Sequence, residues 1–162
     1  MVGARTGPEE WRLVDELYPD LHRFAAVVAP WDVDADDLLH DALVATLGRR
    51  SLDDLDHPAA YLRRVIINLA AGHSRRAGAH KRALQRLAAT ETGTGDPSYP
   101  SDMAELERLP ARERAVLYLA EVEGYRYEEI ARMIGCSPAA ARKRASRARR
   151  RLRVELATEG LG

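Results

Sequence analysis

Apolar positions recur three and four residues apart along most of the chain, and no segment keeps the alternating apolar-polar rhythm of a strand. The pattern predicts helix throughout and an all-α fold. Leu13, Leu17, Leu21 and Phe24 line one face of a first helical stretch over residues 9–29, expected to bend or break at Pro19 and to end at Pro30. Asp34 stands at the N-cap position of a second helix that runs to about Gly48, with Asp36 and Asp37 in a first turn where negative charge suits the helix dipole. Pro58 opens a third helix that buries Leu62, Val65, Ile66 and Leu69. On that helix Arg64, Asn68 and Arg75 lie four and seven residues apart and so share one polar face.

After Leu87 the chain reads Thr90-Glu-Thr-Gly-Thr-Gly-Asp-Pro-Ser-Tyr-Pro-Ser101, rich in turn formers and almost empty of aliphatic residues, so residues 89–102 are expected to be a flexible linker between two small helical domains, 9–88 and 103–157. The second domain should hold a short helix over 103–108 and a longer one over 110–123 closed by Gly124. A third follows over 127–134, closed by Gly135, and a last one with Ser137 as N-cap and Pro138 at its first position runs to about residue 156. Helix, glycine turn and capped basic helix are the order of a helix-turn-helix, whose second helix enters the DNA major groove by its N-terminal residues. Ile130, Ala131, Ile134, Ala141 and Ala145 would form the small core of the pair, Ser137 and Ala140 would sit at the entering end, and Arg142, Lys143, Arg144 and Arg147 would touch groove and phosphates. Residues 149–153 read as phosphate contacts or solubilising charge.

Composition adds most through charge. The net charge of the 162 residues is zero, which alone would argue against nucleic acid, but its distribution is uneven. Residues 1–60 hold 13 acids and five bases, 61–86 hold seven bases and no acid, 91–138 hold ten acids and five bases, and 139–162 hold eight bases and two acids. Two acidic blocks, each followed by a basic one, fit two modules that face a protein with one part and a polyanion with the other. Neither a signal peptide nor a membrane-spanning run is expected, since the longest apolar run, residues 24–31, is far too short to span a bilayer, so the location should be cytoplasmic without membrane insertion. The single Cys136 excludes an internal disulfide framework and reads as a buried or half-buried thiol.

Two stretches resemble the extracytoplasmic-function sigma factors of bacterial RNA polymerase, in the family's order. Asp34-Ala-Asp-Asp-Leu-Leu-His-Asp-Ala-Leu43 resembles the acidic, leucine-bearing helix that docks on the polymerase largest subunit, which implies Asp37, Leu38, His40 and Asp41 as polymerase contacts. Tyr61-Leu-Arg-Arg-Val-Ile-Ile-Asn-Leu-Ala70 with Arg75-Arg76 is similar to the helix that opens and reads the −10 element, which implies Arg64, Asn68, Arg75 and Arg76 as contacts to the unpaired strand.

In the second domain, Leu109-Pro-Ala-Arg-Glu-Arg-Ala-Val-Leu117, Glu123-Gly-Tyr-Arg-Tyr-Glu-Glu-Ile-Ala-Arg-Met-Ile-Gly-Cys-Ser137 and Arg142-Lys-Arg-Ala-Ser-Arg-Ala-Arg149 resemble the −35-reading domain. The wording is most similar to the actinobacterial branch often called the SigE family. The resemblance implies core RNA polymerase and promoter DNA as partners, an anti-sigma factor as a partner that holds such proteins inactive, and no cofactor. Gly72 departs from the family's Asp, Ala141 and Ala145 from its valine and leucine, and Arg126 from the usual capping Ser or Thr, so promoter preference does not transfer and the helix start at 127 should be weakly capped.

Other chemistry is set aside. Asp32, Asp34 and Asp36 have the early spacing of a calcium loop, but its sixth and twelfth positions are Asp37 and Leu43. His73 and His80 lack a third ligand and belong to the basic surface. No phosphate loop, nucleophile elbow or carboxylate pair marks an enzyme. The rival reading is a helix-turn-helix regulator that binds duplex DNA without docking on polymerase; it leaves the acidic helix and the first basic helix without a purpose.

Overall fold

A computed structural model describes residues 7–88 and 109–159. Those residues form α1 (Pro8–Val28), α2 (Ala35–Leu47), a single 3-10 turn (Leu52–Asp54), α3 (Pro58–Leu87), α4 (Ala111–Glu121), α5 (Tyr127–Ile134) and α6 (Pro138–Glu159), with no strand among them. The proposed linker and the short helix over 103–108 lie outside the described residues.

The first three helices pack on one another. α1 is continuous through Pro19, so the chain is not interrupted there. Pro19 is exposed, so the carbonyl it leaves without an amide partner faces water, while Val14 on one side and Leu21 and Phe24 on the other are buried in the same core. Burial on both sides holds the helix in register against the roughly 3 kcal/mol that an interior proline costs. The buried face is centred on Val14, Leu21, Phe24, Ala25 and Val28, with Leu13 and Leu17 on its margin. It also takes in Glu10, only 3% exposed, whose carboxylate accepts from the Ser51 hydroxyl (2.9 Å) and the Leu52 amide (2.6 Å) and so ties the start of α1 to the 3-10 turn.

Asp34 caps α2 as expected, accepting from the Asp36 amide (2.8 Å) and the Asp37 amide (3.3 Å). α3 starts at Pro58 and buries Leu62, Arg63, Ile66, Ile67 and Ala70, with Val65 and Leu69 only partly covered.

The last three helices form the helix-turn-helix. Gly135 closes α5 at φ 73° and ψ 44°, a left-handed conformation that disfavours any residue with a Cβ. The Ser137 hydroxyl then accepts from the Ala140 amide (3.1 Å) and starts α6. Arg126 has no acceptor to cap α5 with its side chain, but the Glu129 carboxylate reaches back to the Arg126 amide (2.9 Å), which is one half of a capping box. Ile130, Ala131, Ile134, Ala141 and Ala145 are all buried, as the apolar spacing predicts.

The two groups of helices are not separate bodies. α1 and α3 pack on α4, and α3 also packs on α5, so one hydrophobic cluster runs through both. Phe24 of α1 meets Tyr118 of α4 with ring centroids 6.1 Å apart, and Arg114 of α4 donates to the Val28 carbonyl at 2.8 Å. Burial, with the Glu123 carboxylate behind it, pushes the Tyr118 hydroxyl above its ordinary pKa.

Candidate nucleic-acid interface

α6 builds its outer face from a row of alanines. Ala141, Ala145 and Ala148 are fully buried at helical spacing against α4 and α5, which turns Arg142, Lys143, Ser146, Arg147 and Arg150 to the outside. Small residues there let the helix lie close to its neighbours, so the basic face stands on a tight support.

Along that face the arginines divide. Arg142 is held by Glu128 at 2.7 Å, with its guanidinium 5.7 Å from the Tyr127 ring centre, and so leans on the start of α5. Lys143 and Arg147 are exposed and Arg144 half-buried, and none of the three pairs with an acid among the described residues. Ala140 is half-buried, and the exposed Ser137 uses its hydroxyl oxygen for the cap while its own proton stays free to donate.

Farther along, Arg149 pairs with Glu121 and also donates to the Tyr127 hydroxyl (3.0 Å), while Arg151 pairs with Glu113 at 3.1 Å. Their pairing corrects the expectation for 149–153: these two arginines staple α6 to α4. The carboxylate and the phenol also hold the Arg149 guanidinium above its ordinary pKa. Local charge counting misses this, because the partner acids lie 28 and 38 residues away.

The second basic face lies on α3. Arg64, Asn68, Arg75 and Arg76 are all exposed. Asn68, Arg75 and Arg76 come together with Leu69, Gly72 and Ala79 around a shallow cleft of about 360 Å³. Gly72, the departure from the family's Asp, forms its open floor, with no atom within 4 Å of where a Cβ would stand. Arg64 is not part of the cleft; its guanidinium lies 2.8 Å from the position of a Cβ on Gly135, across in the helix-turn-helix. Asn68 is engaged as well, its side-chain carbonyl accepting from Arg112 of α4 at 3.2 Å.

α2 carries the acidic face. Asp37, His40 and Asp41 are exposed, but Leu38 is fully buried, which corrects its assignment as a polymerase contact: one helix cannot turn Leu38 both to the core and outward. Val44, 58% exposed, is the apolar side chain that shares the outward face with Asp37 and Asp41. Its spacing of three and seven from them was the available signal. Asp36 is occupied by the Tyr18 hydroxyl and by His22 at 3.2 Å.

No group of three His, Cys, Asp or Glu side chains among the described residues is arranged to hold a metal. No helix among them is long and apolar enough to cross a membrane. Cys136 is half-buried, as expected.

Known proteins share this arrangement. Residues 13–80 match the family described as Sigma-70 region 2, and residues 103–152 match Sigma-70, region 4. The ECF RNA polymerase sigma factor SigM of Mycobacterium tuberculosis is 32% identical over 143 residues, spanning 82% of this chain and 69% of that protein. The RNA polymerase sigma-E factor of Streptomyces coelicolor is 32% identical over 154 residues, spanning 87% and 82%. Among solved structures, the sigma factor RpoE in complex with the anti-sigma factor NepR from Bartonella quintana superposes with a TM-score of 0.66 over 93% of this chain and 98% of that one; at 23% identity the likeness is one of fold.

Proposed function

The chain belongs to the extracytoplasmic-function sigma factors of bacterial RNA polymerase, and from that premise we propose how its faces divide the work of directing transcription initiation. As a sigma factor it binds core polymerase and promoter DNA. In this reading the outward face of α2, with Asp37, His40, Asp41 and the apolar Val44, docks on core polymerase. The α3 face, with Arg64, Asn68, Arg75 and Arg76, captures the opened −10 strand, where unstacked bases can be hydrogen-bonded and backbone phosphates neutralised. α6 enters the −35 major groove with Ser137, Ala140, Arg142, Lys143, Arg144 and Arg147.

The observation that carries the division is the exposed Lys143 and Arg147 on a helix whose other basic residues are partly tied to acids of α4 and α5. Charges with no acidic partner among the described residues, on a tightly supported helix, suit a polyanion that supplies one. The catalytic step of RNA synthesis belongs to the polymerase, and this chain supplies positioning and strand capture alone. Such work is done in the cytoplasm, in reach of an anti-sigma factor that holds the protein inactive. A regulator that ignores polymerase is not favoured, because it leaves the α2 face unused.

Run-off transcription with purified core polymerase and a genomic promoter library tests the proposal. Discrete transcripts that require both proteins are expected, and Asp41→Arg should abolish them while duplex binding survives. Clear duplex binding with no co-migration with core polymerase and no transcripts would overturn it.

A further inference from the structure

α3 is 30 residues long, but only its first half belongs to the core: Leu62, Arg63, Ile66, Ile67 and Ala70 are buried, and no residue of the helix after Ala70 is. From Ser74 to Ala88 every residue but Ala79 is exposed. Residues 71–87 therefore form a projecting arm about 25 Å long. Packing does not hold it in shape. Ala, Lys, Arg, Leu and Gln fill residues 79–87 save for His80, all of them strong helix formers, and the buried half supplies the nucleus from which they propagate.

The charge on the arm has one sign. Residues 61–86 contain no acid, and among the described residues no ion pair reaches Arg75, Arg76, Lys81, Arg82 or Arg86. Arg82 and Arg86 stand four residues apart, a spacing at which like charges on a helix repel. Helical geometry then sorts these cations by side. Arg64, Asn68, Arg75, Arg82 and Arg86 are 4, 7, 7 and 4 residues apart and form one stripe along the axis. Lys81 is turned about 100° away from Arg82, off the stripe.

We propose that Arg82 and Arg86 form a further nucleic-acid site, a backbone clamp on the promoter duplex that adjoins the −10 element on its −35 side. The proposal rests on the assignment of strand capture to α3 made above. From Arg75 to Arg86 the stripe runs about 16 Å, or about five base-pair steps, so its far end reaches past the bases that Asn68 and Arg75 hold. The arm contains no Phe, Tyr or Trp and so offers no platform on which an unpaired base stacks; cations without such a platform suit the phosphates of a duplex. Chain order sets the side, because α3 passes into the stretch that leads to the −35-reading module. Both arginines lie outside the two stretches that match the sigma-70 regions, 13–80 and 103–152.

Holoenzyme reconstituted from core polymerase and the full chain is titrated, over a range of salt, against two probes built on the −10 sequence found by run-off transcription. One is the unpaired −10 strand alone; the other adds one turn of duplex on its −35 side, short of the −35 element. Arg82→Ala combined with Arg86→Ala is expected to weaken the second probe about ten-fold or more and to lower its salt slope by about two, as the loss of two phosphate contacts does, with the first probe unchanged. Lys81→Ala should alter neither. Neutral methylphosphonates in the added duplex should reproduce the loss on the parent chain and add nothing to it on the double variant. Both arginines are exposed and alanine is the better helix former, so the double variant keeps the fold.

Three outcomes would overturn the proposal. Equal losses on both probes would mean that the arm follows the strand, a matching loss per charge from Lys81→Ala would mean that net charge acts without a site, and no loss on either probe would leave the arm a solvated helix. Asn68→Ala tests the premise separately: unaltered binding of the unpaired strand would overturn the assignment of α3, and with it the place of the arm beside the −10 element.

Discussion

The two basic helices of this sigma factor are built on opposite plans. α6 stands on a row of buried alanines and keeps Lys143 and Arg147 free of acids among the described residues, with every pinned arginine tied to a neighbour inside its own module. α3 sends its reading side chains across to the other module, Asn68 to Arg112 and Arg64 to Gly135. In the proposed division, the duplex-reading Lys143 and Arg147 have no acidic partner among the described residues, whereas Asn68 and Arg64 of the strand-reading face already touch the other module. A face that binds ordinary duplex gains from being rigid, because little order remains to be lost on binding.

The largest effect should come from removing the support of α6. Ala145 of α6 is fully buried against α4 and α5, and Ala145→Asp would put an unpaired carboxylate there, at a cost of more than about 4 kcal/mol. Chemical denaturation should show an early loss of the second module and −35 duplex binding should vanish. Binding of a −10 single strand should persist, because Arg64, Asn68, Arg75 and Arg76 are exposed on α3 in the first module. Simultaneous loss of both activities would mean that the two faces are not independent.

Within α6 the next effects separate reading from holding. Arg142 is oriented by Glu128 and Tyr127, and Arg142→Ala should cost about 1–3 kcal/mol on the cognate −35 duplex and little on others. Arg147→Ala should weaken all sequences alike and lower the salt slope by about one, as a phosphate contact does. Competition titrations over a range of salt decide both, and uniform losses for Arg142→Ala would demote it to a phosphate contact. Ser137→Ala removes the cap of α6 and should cost about 1 kcal/mol in a thermal melt, without altering sequence preference.

Legibility in the sequence follows the same division. Asp34, Pro58, Gly135 and Ser137 announced their helix ends because capping is chemistry between residues two to four apart. The alanines that face the core and the basic residues that face outward were legible for the same reason. Contacts between distant segments were not. Arg63 meets Glu123 across 60 residues, and Glu10 reaches Leu52 across 42, so no periodicity signals either, and a charged residue on a helix reads as solvent-facing until its partner is seen. The helix is not interrupted at Pro19, because the burial on both sides of it, which local propensity ignores, holds it. Leu38 was misassigned because the family pattern gives the helix and not its rotation, which only packing against α1 and α3 fixes.

The smallest expected effect bears most directly on the α3 face. Gly72 lies inside α3, where an interior glycine is worth about 1 kcal/mol less than alanine, and a Cβ there meets no atom within 4 Å. Gly72→Ala should therefore stabilise the protein by up to about 1 kcal/mol in a thermal melt, since nothing opposes the gain in helix propensity. The same methyl group stands on the floor of the cleft lined by Asn68, Arg75 and Arg76. If strand bases enter that cleft, −10 affinity should fall while stability rises, and −35 binding should not change. A variant that is both more stable and equally good at strand capture would mean that the strand runs along the arginines without using the cleft. The missing side chain at 72 would then be a matter of helix flexibility alone.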